Sequence, residues 1–126
     1  MNRPRIILAD DHPGIIEAET ALLARQFDVV GTVVDGQALI SEVRRLNPDL
    51  VVTDISMPIL NGIDAVHKLR DVGSTVRFVF LTVHTEREFV DACIEAGALA
   101  FVQKSSMQER LIPAIKAALS GKSYVP

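Results

Sequence analysis

The stretch RIILADDHPGIIEAETALLAR, residues 5–25, joins a short run of apolar residues to a longer amphipathic segment. Arg5–Ala9 is apolar after its first residue, as in a strand that is buried on both faces of a sheet. From Pro13 to about Arg25 the apolar residues recur with helical spacing. The stretch therefore predicts a strand, a turn that carries two adjacent acids, and a helix.

Four more strand and helix pairs follow the first. The predicted strands are Asp28 to Val34, Asp49 to Thr53, Val76 to Leu81 and Leu99 to Gln103. Five such units in a row favour a parallel sheet, because parallel neighbours are joined by long right-handed crossovers. We therefore predict an α/β fold, a doubly wound five-stranded parallel sheet in the order 2-1-3-4-5 with five helices.

Short polar signals mark where the predicted helices begin. Asn61, Thr85 and Ser106 each precede an acidic residue by three positions, a spacing that is typical of helix starts. Asp35-Gly36 is also typical of a hairpin turn, but the helical spacing from Gln37 to Leu46 leaves no second strand nearby. The sequence therefore favours a helix after Asp35.

Composition limits the kinds of protein that this chain can be. The 126 residues have a hydrophobic fraction of 48%, which is ample for one compact domain with a buried core. The formal net charge of -3 provides no overall basic surface for nucleic acid phosphates, so the chain itself is not expected to bind DNA. The single cysteine, Cys93, excludes an internal disulfide and is expected to pack as a small hydrophobe.

Hydropathy gives an expectation about location. No apolar run approaches the roughly 18 residues that a membrane span needs, and Asp10 and Asp11 interrupt the N-terminal run. We therefore expect a soluble, unexported, cytoplasmic protein with no membrane partner.

Polar residues with related chemistry follow the carboxyl ends of four predicted strands. Asp10 and Asp11 follow the first strand, Asp54 the third, Thr82 the fourth and Lys104 the fifth. These ends form the ligand crevice of an open parallel sheet, and the predicted strand order places the three acids side by side. Two like charges about 4 Å apart repel by roughly 4 kcal/mol at an effective dielectric near 20, so the acids need a cation or a proton. Mg²⁺ suits them because it takes oxygen ligands.

The same residues suit phosphoryl transfer. Asp54 is the candidate nucleophile, because a carboxylate can form an aspartyl phosphate. The ammonium of Lys104 would neutralise phosphoryl charge, and the hydroxyl of Thr82 would hydrogen-bond a phosphoryl oxygen. Taken singly, an aspartate after a strand is commonly a turn former and a lysine before a helix is usually solvated. Five suitable residues at one edge of the sheet favour a functional site.

At this point the motifs match a known family. They are Ala9-Asp-Asp-His-Pro13, Asp54-Ile-Ser-Met-Pro58 followed by Asn61-Gly62, Leu81-Thr82, and Gly97-Ala98 leading to Phe101 and Lys104. Throughout its length the chain resembles a receiver domain of a two-component response regulator, a flavodoxin-like fold. The opening motif and the closing Gly121-Lys-Ser-Tyr124 resemble the NarL/FixJ branch, whose members usually continue into a LuxR-type helix-turn-helix. Residues 1–120 are then the receiver domain, and residues 121–126 begin a linker to an output domain.

The resemblance implies that Asp54 takes a phosphoryl group from a sensor histidine kinase with the help of Mg²⁺, and that Thr82 and Phe101 form a switch pair. The metal ligands that it implies are Asp10, Asp11, Asp54 and the backbone carbonyl of Ser56. It further implies regulation of transcription, with DNA contacted only through the output domain, and no enzymatic role beyond slow self-phosphorylation and dephosphorylation. The chain either forms a homodimer or stays monomeric.

Some residues depart from the family pattern or have a plainer interpretation. Ser105 stands where a proline often follows the family lysine, so the Lys104-Ser105 peptide is either cis or trans. We expect His12 to be a helix-start residue, and His84 and His67 to be surface side chains.

Three competing functions fit these residues less well. A flavodoxin-like electron carrier would need a Ser/Thr/Gly-rich phosphate loop, whereas Asp10 and Asp11 would repel a flavin phosphate. A Mg²⁺-dependent phosphatase of the haloacid dehalogenase kind separates two aspartates by one residue, but here they are adjacent. A stand-alone or degenerate receiver, acting only as a protein-interaction module, is disfavoured by the complete acidic set and Lys104.

Overall fold

Strands and helices alternate along the chain as the sequence predicts. In the computed structural model, which describes residues 3–125, the strands are Arg5–Ala9 (β1), Asp28–Val33 (β2), Leu50–Thr53 (β3), Arg77–Thr82 (β4) and Ala100–Gln103 (β5). The helices are Pro13–Leu23 (α1), Gly36–Leu46 (α2), Gly62–Asp71 (α3), Arg87–Ala96 (α4) and Met107–Leu119 (α5). A short 3₁₀ turn, Lys104–Ser106, joins β5 to α5.

The five strands form one parallel sheet in the order β2-β1-β3-β4-β5, which confirms the predicted fold class. In the ladder Ala9 pairs with Val33 on one side and with Thr53 on the other, so β1 and β3 end at the same level. Predicted and observed strand bounds differ by one residue at several ends. Thr82 ends the fourth strand, as expected, because it is the last residue of β4.

Each face of the sheet has its own apolar layer. Strand residues alternate between the two layers, so Ile7 and Val51 pack toward α2, α3 and α4, while Leu8 and Val52 pack toward α1 and α5. All four residues of β3 are buried, because helices cover this central strand on both faces. The burial of apolar surface in these two layers holds the strand ends, and therefore the site, in fixed positions.

The helix starts agree with the sequence in part. The Asn61 side chain accepts a hydrogen bond from the Asp64 N–H at 2.9 Å, and Asp35 caps α2 in the same way by accepting from the Ala38 N–H at 2.7 Å. The prediction at Thr85 is wrong, because Glu86 precedes α4 and its side chain makes no capping bond. Ser106 does precede α5, but its hydroxyl makes no capping bond either.

Cys93 lies on the buried face of α4 and is fully buried. Burial raises the pKa of its thiol to about 12, since the thiolate would lose its hydration there. The residue is therefore an unreactive part of the core, as predicted.

Two glycines let the loop after β3 pass close to neighbouring backbone. A Cβ at Gly62 would lie 1.9 Å from the Asp54 carbonyl oxygen, and one at Gly36 would lie 2.2 Å from the Leu60 carbonyl oxygen. The Gly62 N–H also donates to the Ile55 carbonyl at 2.8 Å. The absence of a side chain at Gly62 therefore sets how closely α3 approaches Asp54.

Gly62→Ala should destabilise the chain by about 1–3 kcal/mol, because the added methyl group overlaps a backbone oxygen that can move only with β3. Gly14→Ala is the matched control, since a Cβ there meets nothing within 4 Å. Because the chain has no tryptophan, urea unfolding is best followed by far-UV circular dichroism. Equal midpoints for the two variants would contradict the steric explanation.

Candidate functional site

The parallel sheet brings the predicted acids together. Asp10 and Asp11 directly follow β1, and Asp54 directly follows the adjacent strand β3. The Asp54 N–H donates to the Ala9 carbonyl at 2.9 Å, which ties the two strand ends to each other. Asp10, Asp11, His12 and Asp54 each offer one atom that could ligate a metal, and these atoms all lie within 4.8 Å of one another.

Asp54 lies at the floor of this cluster, where only 2% of the residue is exposed. One carboxylate oxygen, Oδ1, accepts a hydrogen bond from the Ile55 N–H at 2.7 Å. The other, Oδ2, accepts from the Lys104 ammonium at 2.9 Å. These two contacts hold the carboxylate in one orientation.

Lys104 bridges two of the acids. Its Nζ lies 2.7 Å from Asp10 Oδ2 and 2.9 Å from Asp54 Oδ2. Burial lowers the pKa of Lys104, but hydrogen bonds and charge attraction from Asp10 and Asp54 together outweigh that effect, so its pKa is raised overall. The ammonium therefore stays charged, and it places a positive charge between the carboxylates of Asp10 and Asp54.

The donor set fits a hard divalent cation. Closely spaced carboxylate oxygens are the ligands that Mg²⁺ prefers, and the bridging ammonium is a built-in substitute for a cation at this place. Asp11 is the least buried of the three acids, with 36% of its side chain exposed, so it can turn toward an incoming ion.

Thr82 and Phe101 lie on neighbouring strands and face the same side of the sheet. Phe80 pairs with Phe101 and Thr82 pairs with Gln103, so the two predicted switch residues are two positions apart in the ladder. Both are buried. The Thr82 Oγ accepts a hydrogen bond from the His84 N–H at 3.3 Å, which leaves its own proton free to be donated.

Two histidines make contacts that the sequence did not reveal. His12 precedes α1 as expected, but its Nδ1 also lies 2.7 Å from Asp10 Oδ1. His84 is half-buried rather than solvated, because its Nε2 lies 2.7 Å from the Ser56 hydroxyl and its ring stacks on Phe89 at 4.4 Å. His67 is exposed on α3, as predicted. Among residues 3–125 there is no cis peptide, so the Lys104-Ser105 bond is trans.

The sequence of this chain matches a known family over most of its length. Residues 6–116 match the family described as the response regulator receiver domain. The chain belongs to that family. The acids, Lys104 and Thr82 are thus side chains at the carboxyl edge of a receiver sheet.

Relatives of this receiver domain include larger regulators. It is 30% identical over 126 residues to the transcriptional regulatory protein DegU of Brevibacillus brevis, covering 98% of this chain and 53% of that protein. It is 30% identical over 121 residues to the DNA-binding transcriptional activator EvgA of Escherichia coli, covering 95% of this chain and 59% of that protein. The chain therefore spans a little over half the length of these curated relatives.

Solved structures agree with the fold. A LuxR-family two-component response regulator from Aurantimonas sp. SI85-9A1 superposes with a TM-score of 0.92 at 34% identity, covering 98% of this chain and 89% of that one. The non-phosphorylated receiver domain of RcsB from Escherichia coli gives 0.90 at 26% identity, covering 99% of each chain. In the described part of this receiver, no helix has the length and apolar character to cross a bilayer.

A buried carboxyl group lies close to the receiver's acids. Glu19 on α1 is only 1% exposed, and its Oε2 has no hydrogen-bond partner among the described residues. Burial, followed by repulsion from Asp10, raises the pKa of Glu19 to about 8. The residue could have been recognised from its spacing, because Ile15 and Leu23 lie four positions on either side of it, on the same face of the helix.

Glu19→Gln should remove a pH-dependent loss of stability. The carboxyl ionises near 4.5 in the unfolded chain but keeps its proton up to about 8 in the fold. The free energy of unfolding therefore falls as pH rises between these values, by about 1.4 kcal/mol per pH unit from this group. Relative to wild type, the variant should gain stability from pH 5 to pH 8.

Urea unfolding at several pH values in EDTA measures this gain. Glu17→Gln, which changes an exposed acid two positions away, is the control and should follow wild type throughout. A constant difference between Glu19→Gln and wild type across the pH range would show that Glu19 is ionised in the fold.

Proposed function

We propose that this chain is the receiver of a two-component response regulator, in which Asp54 accepts a phosphoryl group from a sensor histidine kinase. The observation that carries the proposal is the position of Asp54. An oxygen of its buried carboxylate lies within 4.8 Å of carboxylate oxygens of Asp10 and Asp11. Lys104 Nζ lies 2.9 Å from Asp54 Oδ2. An oriented carboxylate nucleophile beside a fixed positive charge suits attack on phosphorus.

The reaction requires divalent magnesium. The residues that would hold it are Asp10, Asp11, Asp54 and the backbone carbonyl of Ser56. When bound, Mg²⁺ supplies positive charge that offsets the charge of the phosphoryl oxygens and of the attacking carboxylate. Lys104, which bridges Asp10 and Asp54, is the side chain that would pair with the transferred group.

Bond changes in the transfer are simple. A carboxylate oxygen of Asp54 forms a bond to phosphorus while the phosphorus–nitrogen bond of the donor phosphohistidine breaks, and the leaving imidazole nitrogen takes up a proton. Lys104 and Thr82 act as catalytic residues here, because the ammonium and the hydroxyl donate hydrogen bonds to phosphoryl oxygens. The chain is a phosphoacceptor with slow self-phosphorylation and dephosphorylation, not an enzyme that turns over an external substrate.

Thr82 and Phe101 form the switch. The Thr82 hydroxyl has a free proton to donate, and a phosphoryl oxygen on Asp54 gives it an acceptor. Movement of Thr82 changes the packing next to Phe101, which faces the same side of the sheet two positions away along the ladder. The phosphoryl group therefore shifts the population of two arrangements of this surface rather than creating a new one.

The output is regulation of transcription. This chain covers only 53% and 59% of the length of DegU and EvgA, whose names describe regulators of transcription. Residues 1–120 are the receiver domain, residues 121–126 begin a linker, and a LuxR-type helix-turn-helix contacts DNA. The site works in the cytoplasm, where a histidine kinase can reach it, and phosphorylated copies can pair as a homodimer.

Labelling with a small phosphodonor tests the phosphoacceptor. With phosphoramidate and Mg²⁺, the wild-type chain should gain one acid-labile phosphoryl group by intact-mass measurement, and Asp54→Asn should gain none because the nucleophile is lost. Asp71→Asn, an exposed position at the end of α3, is the control and should label like wild type. Unchanged labelling of Asp54→Asn would remove Asp54 from this role, and a chain that never labels would favour a protein-interaction module.

Thermal unfolding tests the metal ligands. A ligand at ten times its Kd adds about 1.4 kcal/mol to the free energy of unfolding, so Mg²⁺ should raise the Tm of the EDTA-treated chain. Asp11→Asn should lose most of this rise, since it removes one charge from the cluster without disturbing the core. Asp28→Asn, at the opposite end of the sheet, should keep it. An equal rise in both variants would place the ion elsewhere.

A further inference from the structure

The segment that follows α5 turns back and pairs with the outer edge of β5. Gly121 adopts a positive φ of 75°, and the Lys122 N–H donates to the Ala117 carbonyl at 2.8 Å. Tyr124 then forms a parallel bridge with Ala100. Its N–H donates to the Leu99 carbonyl at 2.9 Å, and its carbonyl accepts from the Phe101 N–H at 3.0 Å. Residues 122–125, the exit segment, thus lie along the outer edge of β5 and pair with it through the bridge between Tyr124 and Ala100.

Of the last two described side chains of the exit segment, only that of Tyr124 packs against the core. Tyr124 is half-buried and packs against the apolar layer shared by α1 and α5. Val125, by contrast, is 45% exposed. Next to them a surface cavity of about 440 Å³ lies between the exit segment and the start of α5, where Ser106 and Arg110 line it. The segment is therefore attached by a small contact beside unfilled space, so it can shift without disturbing the core.

Strand β5 connects this contact to the phosphorylation site. Phe101, which donates to Tyr124, is three residues before Lys104, and Lys104 Nζ holds both Asp10 and Asp54. β5 has only four residues, so Lys104 directly follows the short segment of backbone that pairs with the exit segment. A phosphoryl group on Asp54 would draw the ammonium into a new position.

We propose that the exit segment is a clasp whose pairing with β5 is coupled to the phosphorylation of Asp54. This inference rests on the proposed function of Asp54. It adds a surface whose structure responds to phosphorylation of Asp54. The outer edge of β5 is the docking surface, and its occupant is the chain's own residues 122–125. Because coupling free energies are reciprocal, the state of the clasp also changes the affinity of the site for a phosphoryl group.

Amide hydrogen exchange tests the coupling in the 126-residue chain. Beryllofluoride with Mg²⁺ serves as the phosphoryl mimic. The N–H groups of Phe101 and Tyr124 are the two donors of the clasp, and their exchange rates should change together by at least about fivefold on binding. Equal rates with and without beryllofluoride, when the amides of Ile55 and Lys104 do respond, would overturn the clasp while leaving the proposed function intact. No response at any of these amides would overturn both.

Two truncations test the reciprocal effect. A chain that ends after Gly121 lacks the clasp, whereas one that ends after Val125 keeps it and is the matched control. Beryllofluoride affinity should differ between them by at least about fivefold, and equal affinities would mean that the segment only covers the strand edge. Tyr124→Ala, which keeps the backbone donors but loses the packing, provides the same comparison if the shorter chain does not fold, and an affinity equal to wild type would again refute the coupling.

Discussion

Crowding of negative charge at one edge of the sheet is the constraint on which the rest of the structure depends. Asp10 and Asp54 are almost completely buried at the ends of adjacent parallel strands, a position that costs free energy unless positive charge is close by. The Lys104 ammonium lies within hydrogen-bond distance of both. Lys104 directly follows β5, the outermost strand on that side of the sheet. The balance of charge between the acids and the ammonium therefore depends on the position of β5 as well as on β1 and β3.

The close packing around the loop after β3 serves the same arrangement. Gly62 lets α3 start against the Asp54 carbonyl, and Gly36 lets the Leu60 carbonyl accept a backbone hydrogen bond at 2.9 Å. Ile55 donates its N–H to the carboxylate itself. Backbone geometry therefore orients Asp54, and the charged side chains determine what the carboxylate can bind.

Much of the fold and of the site could be predicted from the sequence. The spacing of apolar residues indicates which faces are buried, and the carboxyl ends of parallel strands lie at one edge of the sheet. Alternating strands and helices predicted the sheet, and the sheet placed Asp10 beside Asp54. What the sequence left out depends on contacts between distant positions. Ser56 and His84 are 28 residues apart, and nothing local predicts that their side chains touch. The residue that precedes α4 is Glu86 rather than Thr85, and this depends on how the preceding loop leaves β4.

Glu19 illustrates a different limit. Its helical spacing places it on the core face of α1, but a pattern of polar and apolar letters treats every glutamate as a surface residue. Only the packed structure shows that one oxygen of this carboxyl group, Oε2, has no hydrogen-bond partner among residues 3–125. Such a residue lowers the stability that the fold would otherwise have, so it is a position where local preference and the global fold disagree.

The two edges of the sheet differ in a way that bears on self-association. Tyr124 occupies the outer side of β5, whereas within residues 3–125 no further strand pairs with the outer side of β2. Growth of a fibril by strand addition needs two free edges on every molecule, one to receive and one to extend. A molecule with one open edge can form at most a closed pair through β2, so the bridge of Tyr124 to β5 also protects this fold against open-ended polymerisation.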